Sequence, residues 1–172
     1  YKDFFKGLDF EITFSKKIEN KNGKSFALNN TNFVENNAIG FTFGVFKIPL
    51  SNDGKALEFG KIAEYAEEVT GTKKLALLKM DVDNLGKIFA RGLERNDRTI
   101  SRIASLSRQL RMYFEGFLNT ILSQSDYENK IYTVYSGGDD TFLIGPWNLI
   151  FQLAKDIHES FAEYTCHNPN IT

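Results

Sequence analysis

Cysteine is nearly missing: Cys166 is the single one in 172 residues. This excludes an internal disulfide framework and a zinc site built mainly from thiolates, and it suits a reducing compartment. With three prolines there is no Pro-rich linker. No apolar run approaches the roughly 20 residues of a membrane span. Charge of one sign is also lacking, with 21 Lys and Arg against 22 Asp and Glu. No global basic excess is available to hold a phosphate backbone, which removes the simplest nucleic-acid reading. The start, Tyr1-Lys2-Asp3-Phe4, has no initiator Met and no secretory pattern. The expectation is a piece of a cytoplasmic protein with no membrane partner. What is present is 42% apolar and 25% charged residues, enough for a sizeable core.

Two regions differ in pattern, and the expected boundary puts 1–72 in one and 73–172 in the other. In the first, residues 8–14 alternate apolar and polar, the period of a half-buried strand, and 41–48 repeat this less cleanly. Residues 20–37 carry seven asparagines and no period, which predicts an exposed loop. A short helix is predicted over 57–69, with Ile62, Ala66 and Val69 on one face and Gly71 closing it. The first region thus reads as a strand-rich linker, a remnant of a preceding domain, or both.

The second region reads as strand, helix, strand, strand, helix. Residues 75–80 are nearly continuously apolar, predicting a strand covered on both faces. A helix starts near Asn84, and a longer one over 99–123 repeats Ile103, Leu106, Leu110, Phe114, Phe117 and Ile121. Residues 131–135 and 141–144 flank Gly137-Gly138-Asp139-Asp140 as a hairpin. The last helix carries Ile150, Leu153, Ile157, Phe161 and Tyr164 on one face, before a turn at Asn168-Pro169-Asn170. Ile171-Thr172 reads as a closing strand cut off at its first residues. The order is that of a ferredoxin-like (βαββαβ) palm, an α+β fold incomplete at its C-terminus.

Asp81-Val82-Asp83-Asn84-Leu85-Gly86 stands where the first of these strands hands over to a helix. Strand alternation points Asp81 and Asp83 to the same side. Taken alone, the motif is explained by a strand end with Asn84 as helix N-cap. An EF-hand loop is excluded, because Leu85 stands at a ligand position and Gly92 where the bidentate Glu belongs. Ser136-Gly137-Gly138-Asp139-Asp140 is more specific. Two adjacent carboxylates at a hairpin tip repel unless a cation or water screens them. Paired glycines leave the backbone bare to a phosphate or base. In this topology the carboxyl end of the first strand lies beside the hairpin, so Asp81 and the Asp139/Asp140 pair converge from about 58 residues apart. Three acids above a sheet edge suit a divalent-metal phosphoryl-transfer site, with ions about 3.5–4 Å apart.

Those two motifs, with Lys87, Leu106-Ser107-Arg108-Gln109-Leu110, Gly145-Pro146-Trp147 and Asn168-Pro169-Asn170, resemble the cyclase-type GGDD palm in the large subunit of type III CRISPR effector complexes, nearest the Csm type. The resemblance runs from about Lys74 to Thr172. It implies a nucleotidyltransferase that condenses ATP into cyclic oligoadenylates once the complex has bound target RNA. It implies Mg²⁺ or Mn²⁺ held by Asp81, Asp139 and Asp140, with the Val82 carbonyl as an extra ligand. It implies triphosphate contacts at Asn84, Leu85, Gly86 and Lys87, and base and ribose beside Ser136, Gly137 and Gly138. Other effector subunits, guide RNA and target RNA are the implied partners. In that family the second nucleotide sits against another palm, so this stretch alone is expected to make little product.

Two alternatives stand beside it. A diguanylate cyclase shares the palm, but Asp140-Thr141-Phe142 follows the glycines here, and Phe89-Ala90 stands near the place of its guanine-reading N-D pair. A non-catalytic palm would scaffold guide RNA and subunits, yet palms of that kind usually lose the acidic tip. Arg91, Arg95, Arg98 and Arg102 would align on one continuous helix, as a solvated face or as contacts to triphosphate or a neighbour. His158 and His167 read as surface or core-edge residues.

Overall fold

The computed structural model describes Ser15, residues 24–28, 34–35 and 38–41, Val45 and residues 47–171. The chain forms two compact units, Tyr1–Phe41 and Thr42–Thr172. In the first, β1 (Phe26–Leu28) and β2 (Val34–Glu35) flank β3 (Ala38–Phe41), parallel and antiparallel to it respectively. The loop expected over residues 20–37 therefore holds two strands. Stretches of three and two residues are too short to register as a period among asparagines. The strand expected over 8–14 lies outside the described residues. Of the one expected over 41–48, Phe41 ends β3, while Val45, Lys47 and Ile48 are not in a strand.

In the second unit, α1 (Phe59–Thr70) ends at Gly71, whose left-handed backbone (φ 70°) lets its amide donate to the Glu67 carbonyl. Ile62, Ala63 and Ala66 are buried, while Val69 is 76% exposed. The buried face therefore turns past Val69, contrary to expectation. The helix belongs with the elements that follow it: Phe59 meets Tyr132 edge-on at 5.5 Å, and the Trp147 indole N–H donates to Thr70 Oγ1 at 3.3 Å.

The palm sheet pairs β4 (Leu75–Met80) and β5 (Tyr132–Gly137) with a central β6 (Asp140–Pro146), all antiparallel. Ala76, Leu78 and Met80 pack on the core, whereas Leu77 is 66% exposed. The continuous apolar run thus hides a strand covered on one face at Leu77, not on both. Among the described residues the sheet has three strands, and Ile171 packs against the core without joining it.

Between β4 and β5 run α2 (Leu85–Arg91), a 3₁₀ turn (Arg95–Asp97), α3 (Ile100–Met112), a π turn (Tyr113–Phe117) and α4 (Leu118–Ile121). The breaks after α2 scatter the arginine stripe. Arg98 donates to the Leu93 carbonyl at 2.9 Å, and Arg102 pairs with Asp97. Thr99 caps α3 by accepting from the Arg102 amide. The predicted apolar stripe is buried at Leu110, Phe114 and Ile121, but Phe117 is 40% exposed and Leu118 takes its place inside. The wider π turn shifts the register at that point.

Finally α5 (Trp147–Tyr164) buries Ile150, Leu153, Ile157 and Phe161 as its spacing predicts. Buried Tyr127 donates to Asp156 on this helix, and Gln152 donates to the same carboxylate at 2.7 Å. Burial first, then the hydrogen bond it donates to Asp156, pushes the Tyr127 phenol well above its usual 10. The folded state favours the neutral phenol, so this contribution holds below pH 10 and is lost as pH rises beyond it. Tyr127→Phe is expected to cost about 1.5–3 kcal/mol, measured by urea unfolding.

Candidate functional site

Two junctions meet at one end of the sheet. At the first, β4 stops at Met80 and Val82 plugs into the core at 3% exposure. Burying that side chain turns its neighbours Asp81 and Asp83 outward, and both are exposed. Asn84 then takes a left-handed backbone (φ 58°) before α2 and makes no side-chain cap bond, against the N-cap expectation. Its Oδ1 instead accepts from the Lys87 ammonium at 2.8 Å, which draws that charge over the start of the helix. Leu85 is half-buried, and Gly86 is exposed with open space where a Cβ would stand.

At the second junction the hairpin is tighter than expected. Gly137 pairs with Asp140, so the turn proper is Gly138-Asp139. Gly138 has φ 68°, the positive value a two-residue turn needs at its first position and that glycine supplies without strain. Asp140 is thereby the first residue of a strand, held by a ladder, while Asp139 sits at the tip.

The ladder between β4 and β6 ends at Met80–Thr141. Asp81 lies one residue beyond that pair on its strand and Asp140 one residue before it, so their backbones are neighbours across strands about 4.8 Å apart. The register thus brings Asp81 and Asp140, two of the three acids expected to converge, to adjacent backbone positions. Among the described residues, though, no three acidic, His or Cys side chains are grouped as a cation shell.

The four acids offer carboxylate oxygen, which fits a hard divalent cation; the one imidazole at the cavity beside Asp81 and Asp83 is that of His158. Among the described residues, no hydrogen bond or ion pair engages the side chains of Asp81, Asp83, Asp139 or Asp140. Four carboxylates near one sheet end, none neutralised by a cation among the described residues, form an acidic surface that a cation would relieve. A cavity of about 310 Å³ opens beside Asp81 and Asp83, floored by Phe114, Ile157 and Phe161. His158 also lines this cavity and shares a smaller one with His167, Pro169 and Ile171, both histidines being exposed; no hairpin residue lines either cavity.

Three further residues support the hairpin. Ser136 donates to the Phe114 carbonyl at 2.5 Å and lies 3.0 Å from Thr141 Oγ1. Glu115, 7% exposed, accepts from Arg111 Nε at 2.7 Å, and its other oxygen lies 3.6 Å from where a Cβ on Gly137 would stand. One sequence signal pointed there: a glutamate between Phe114 and Gly116 in an apolar stripe, with an arginine four residues earlier.

Residues 74–172 match the family model for the second palm domain of Cas10/Cmr2. The chain belongs to the Cas10/Cmr2 palm family. It is 44% identical over 127 residues to the Cas10/Csm1 single-strand-specific deoxyribonuclease (subtype III-A) of Methanocaldococcus jannaschii, covering 69% of this chain and 16% of that protein. It is 40% identical over 104 residues to the Enterococcus italicus counterpart, covering 60% of this chain and 13% of that one. The chain thus spans about a sixth or less of the length of these curated relatives. Among solved structures, a Csm1–Csm4 cassette in complex with one ATP is similar at TM-score 0.67 and 26% identity, covering 88% of this chain and 23% of that one. The same cassette with cA4 gives 0.62 and 26%, over 79% and 20%. The Cas10 palm has the α+β architecture and small antiparallel sheet described above. Among the described residues no helix is long and apolar enough to cross a membrane.

Proposed function

We propose that this chain is the nucleotide-condensing palm of a Csm-type Cas10 subunit. It binds ATP with Mg²⁺ or Mn²⁺ and makes cyclic oligoadenylates in a type III CRISPR effector complex, alongside other effector subunits, guide RNA and target RNA. The observation that carries this reading is the set of carboxylates at the β4–α2 junction and the GGDD hairpin of a Cas10 palm, none paired with a cation among the described residues. The likeness to cassettes solved with ATP and with cA4 supports it.

In the reaction, the 3′-hydroxyl of one ATP attacks the α-phosphorus of another, and pyrophosphate leaves. Asp81, Asp139 and Asp140, with the Val82 carbonyl, would hold the divalent cation. When bound, that ion lowers the pKa of the attacking hydroxyl and neutralises charge developing on the phosphate. Lys87 supplies positive charge to the triphosphate, and Asn84, Leu85 and Gly86 offer it backbone amides. Gly137 and Gly138 carry no side chain, which leaves room for base and ribose beside Ser136.

The test supplies the intact complex with target RNA, Mg²⁺ and a mixture of ATP and GTP, and identifies products by mass spectrometry. Cyclic oligoadenylates are expected, absent without metal. Cyclic guanylates would favour the diguanylate-cyclase reading. Nucleotide binding that ignores metal, with no product, would favour a scaffold.

A further inference from the structure

We propose that Ser136 is a positioning residue, latching the acid-bearing end of the hairpin to the π turn of the long helix. This rests on the cyclase reading of the site and adds a part to it.

The latch follows from an accounting of donors. In a regular α-helix the Leu118 amide would donate to the Phe114 carbonyl, four residues back. Here the helix widens, and that amide donates to Tyr113, five residues back. The Phe114 carbonyl has lost its α-helical donor, and the Ser136 hydroxyl, at 2.5 Å, takes the place. A carbonyl can only accept, so the single Ser136 proton is spent there. At 3.0 Å the Thr141 hydroxyl must then be the donor towards Ser136. Thr141 is fully buried, so the relay is screened from competing water.

Its position gives the relay its consequence. Ser136 and Thr141 face each other in the hairpin ladder, and the next pair outward is Gly137 and Asp140. Both strands are therefore tied to the helix one rung below the carboxylates. A two-residue turn with one bare glycine in its last rung, Gly137, and a second in the turn itself, Gly138, has little stiffness of its own. π turns are a recurrent device at functional sites, and this one frees a carbonyl where the hairpin needs an anchor. Glu115 packs beneath Gly137 from the same turn.

The experiment uses the intact complex with Ser136→Ala and Ser136→Thr, the second keeping a hydroxyl on the same carbon. Ser136→Ala is expected to raise the Mn²⁺ concentration for half-maximal activity about tenfold. It should lower turnover at saturating ATP by about tenfold or more, since small misplacements of reacting groups cost heavily, with KM for ATP unchanged within about twofold. Ser136→Thr should recover most of both losses. Amide hydrogen exchange at Asp140 and Thr141 should speed up about tenfold in the alanine variant alone, a reading that does not need activity.

A rise in KM for ATP with turnover intact would overturn the latch, because it marks direct nucleotide contact. Unchanged exchange at those amides would overturn it too. So would equal damage by both variants in proportion to a lowered melting temperature. If the unsubstituted complex makes no product, the cyclase reading fails, while the exchange measurement still decides whether the latch exists.

Discussion

Asp139→Asn combined with Asp140→Asn is expected to abolish product formation while moving the melting temperature by no more than about 2 °C. Asparagine keeps the size of each side chain and removes the charge that would hold a cation. Neither carboxylate is engaged by a protein cation among the described residues, so no ion pair is lost. The two charges repel each other, and removing them relieves that repulsion when metal is absent. The turn itself depends on Gly138 at φ 68°, which the substitutions leave in place. Calorimetry on the variant, beside product analysis on the same preparation, separates the two effects. A melting shift as large as that of a core truncation would assign the acids a structural role and remove the basis for the metal site.

Leu153→Ala should do the reverse. Leu153 is fully buried on α5 in the same core as Leu143, Ile157 and Leu118. Truncation loses the transfer energy of the missing carbons and leaves a cavity the packed neighbours can only partly close. The expected cost is about 2–5 kcal/mol. In a chain of this size that lowers the melting temperature by roughly 5–15 °C. Below the new transition the hairpin ladder is intact, so product formation should persist at near-normal KM. Leu77→Ala is the control: at 66% exposure the leucine has little burial to lose, and a change within about 0.5 kcal/mol is expected. Equal destabilisation by the two would mean that the Leu77 face is covered in the protein as tested.

The parts of this fold that were legible are those with a strong local period or a required turn residue. Residues 75–80 were predicted as a strand, and β4 occupies the same span. The α5 stripe came through because four of its five spaced apolar positions all point inward. The hairpin was legible from its glycines, although its strands extend further toward the tip than the apolar residues alone suggested. Misreadings fell where the outcome depends on what packs against a segment. Val69 and Leu77 fit their apolar patterns, yet each faces outward because no described element covers it. The π turn was not legible, since an α-helical and a widened turn can carry the same residues.

For the site, the sequence by itself determined the chemistry on offer. It supplied acids at 81, 83, 139 and 140, glycine where the backbone must turn left-handed, and no thiolate or histidine set that would suit a softer metal. These follow from residue identity and local spacing. Only the tertiary structure decided which of these groups are neighbours. The β4–β6 register set Asp81 beside Asp140, the burial of Val82 turned Asp81 and Asp83 outward, and the widened helix took up the Ser136 hydroxyl. Each outcome joins residues far apart in the chain. Local propensity has no hold over such pairings, because they are selected by the packing of the whole core and by the need to satisfy buried polar groups.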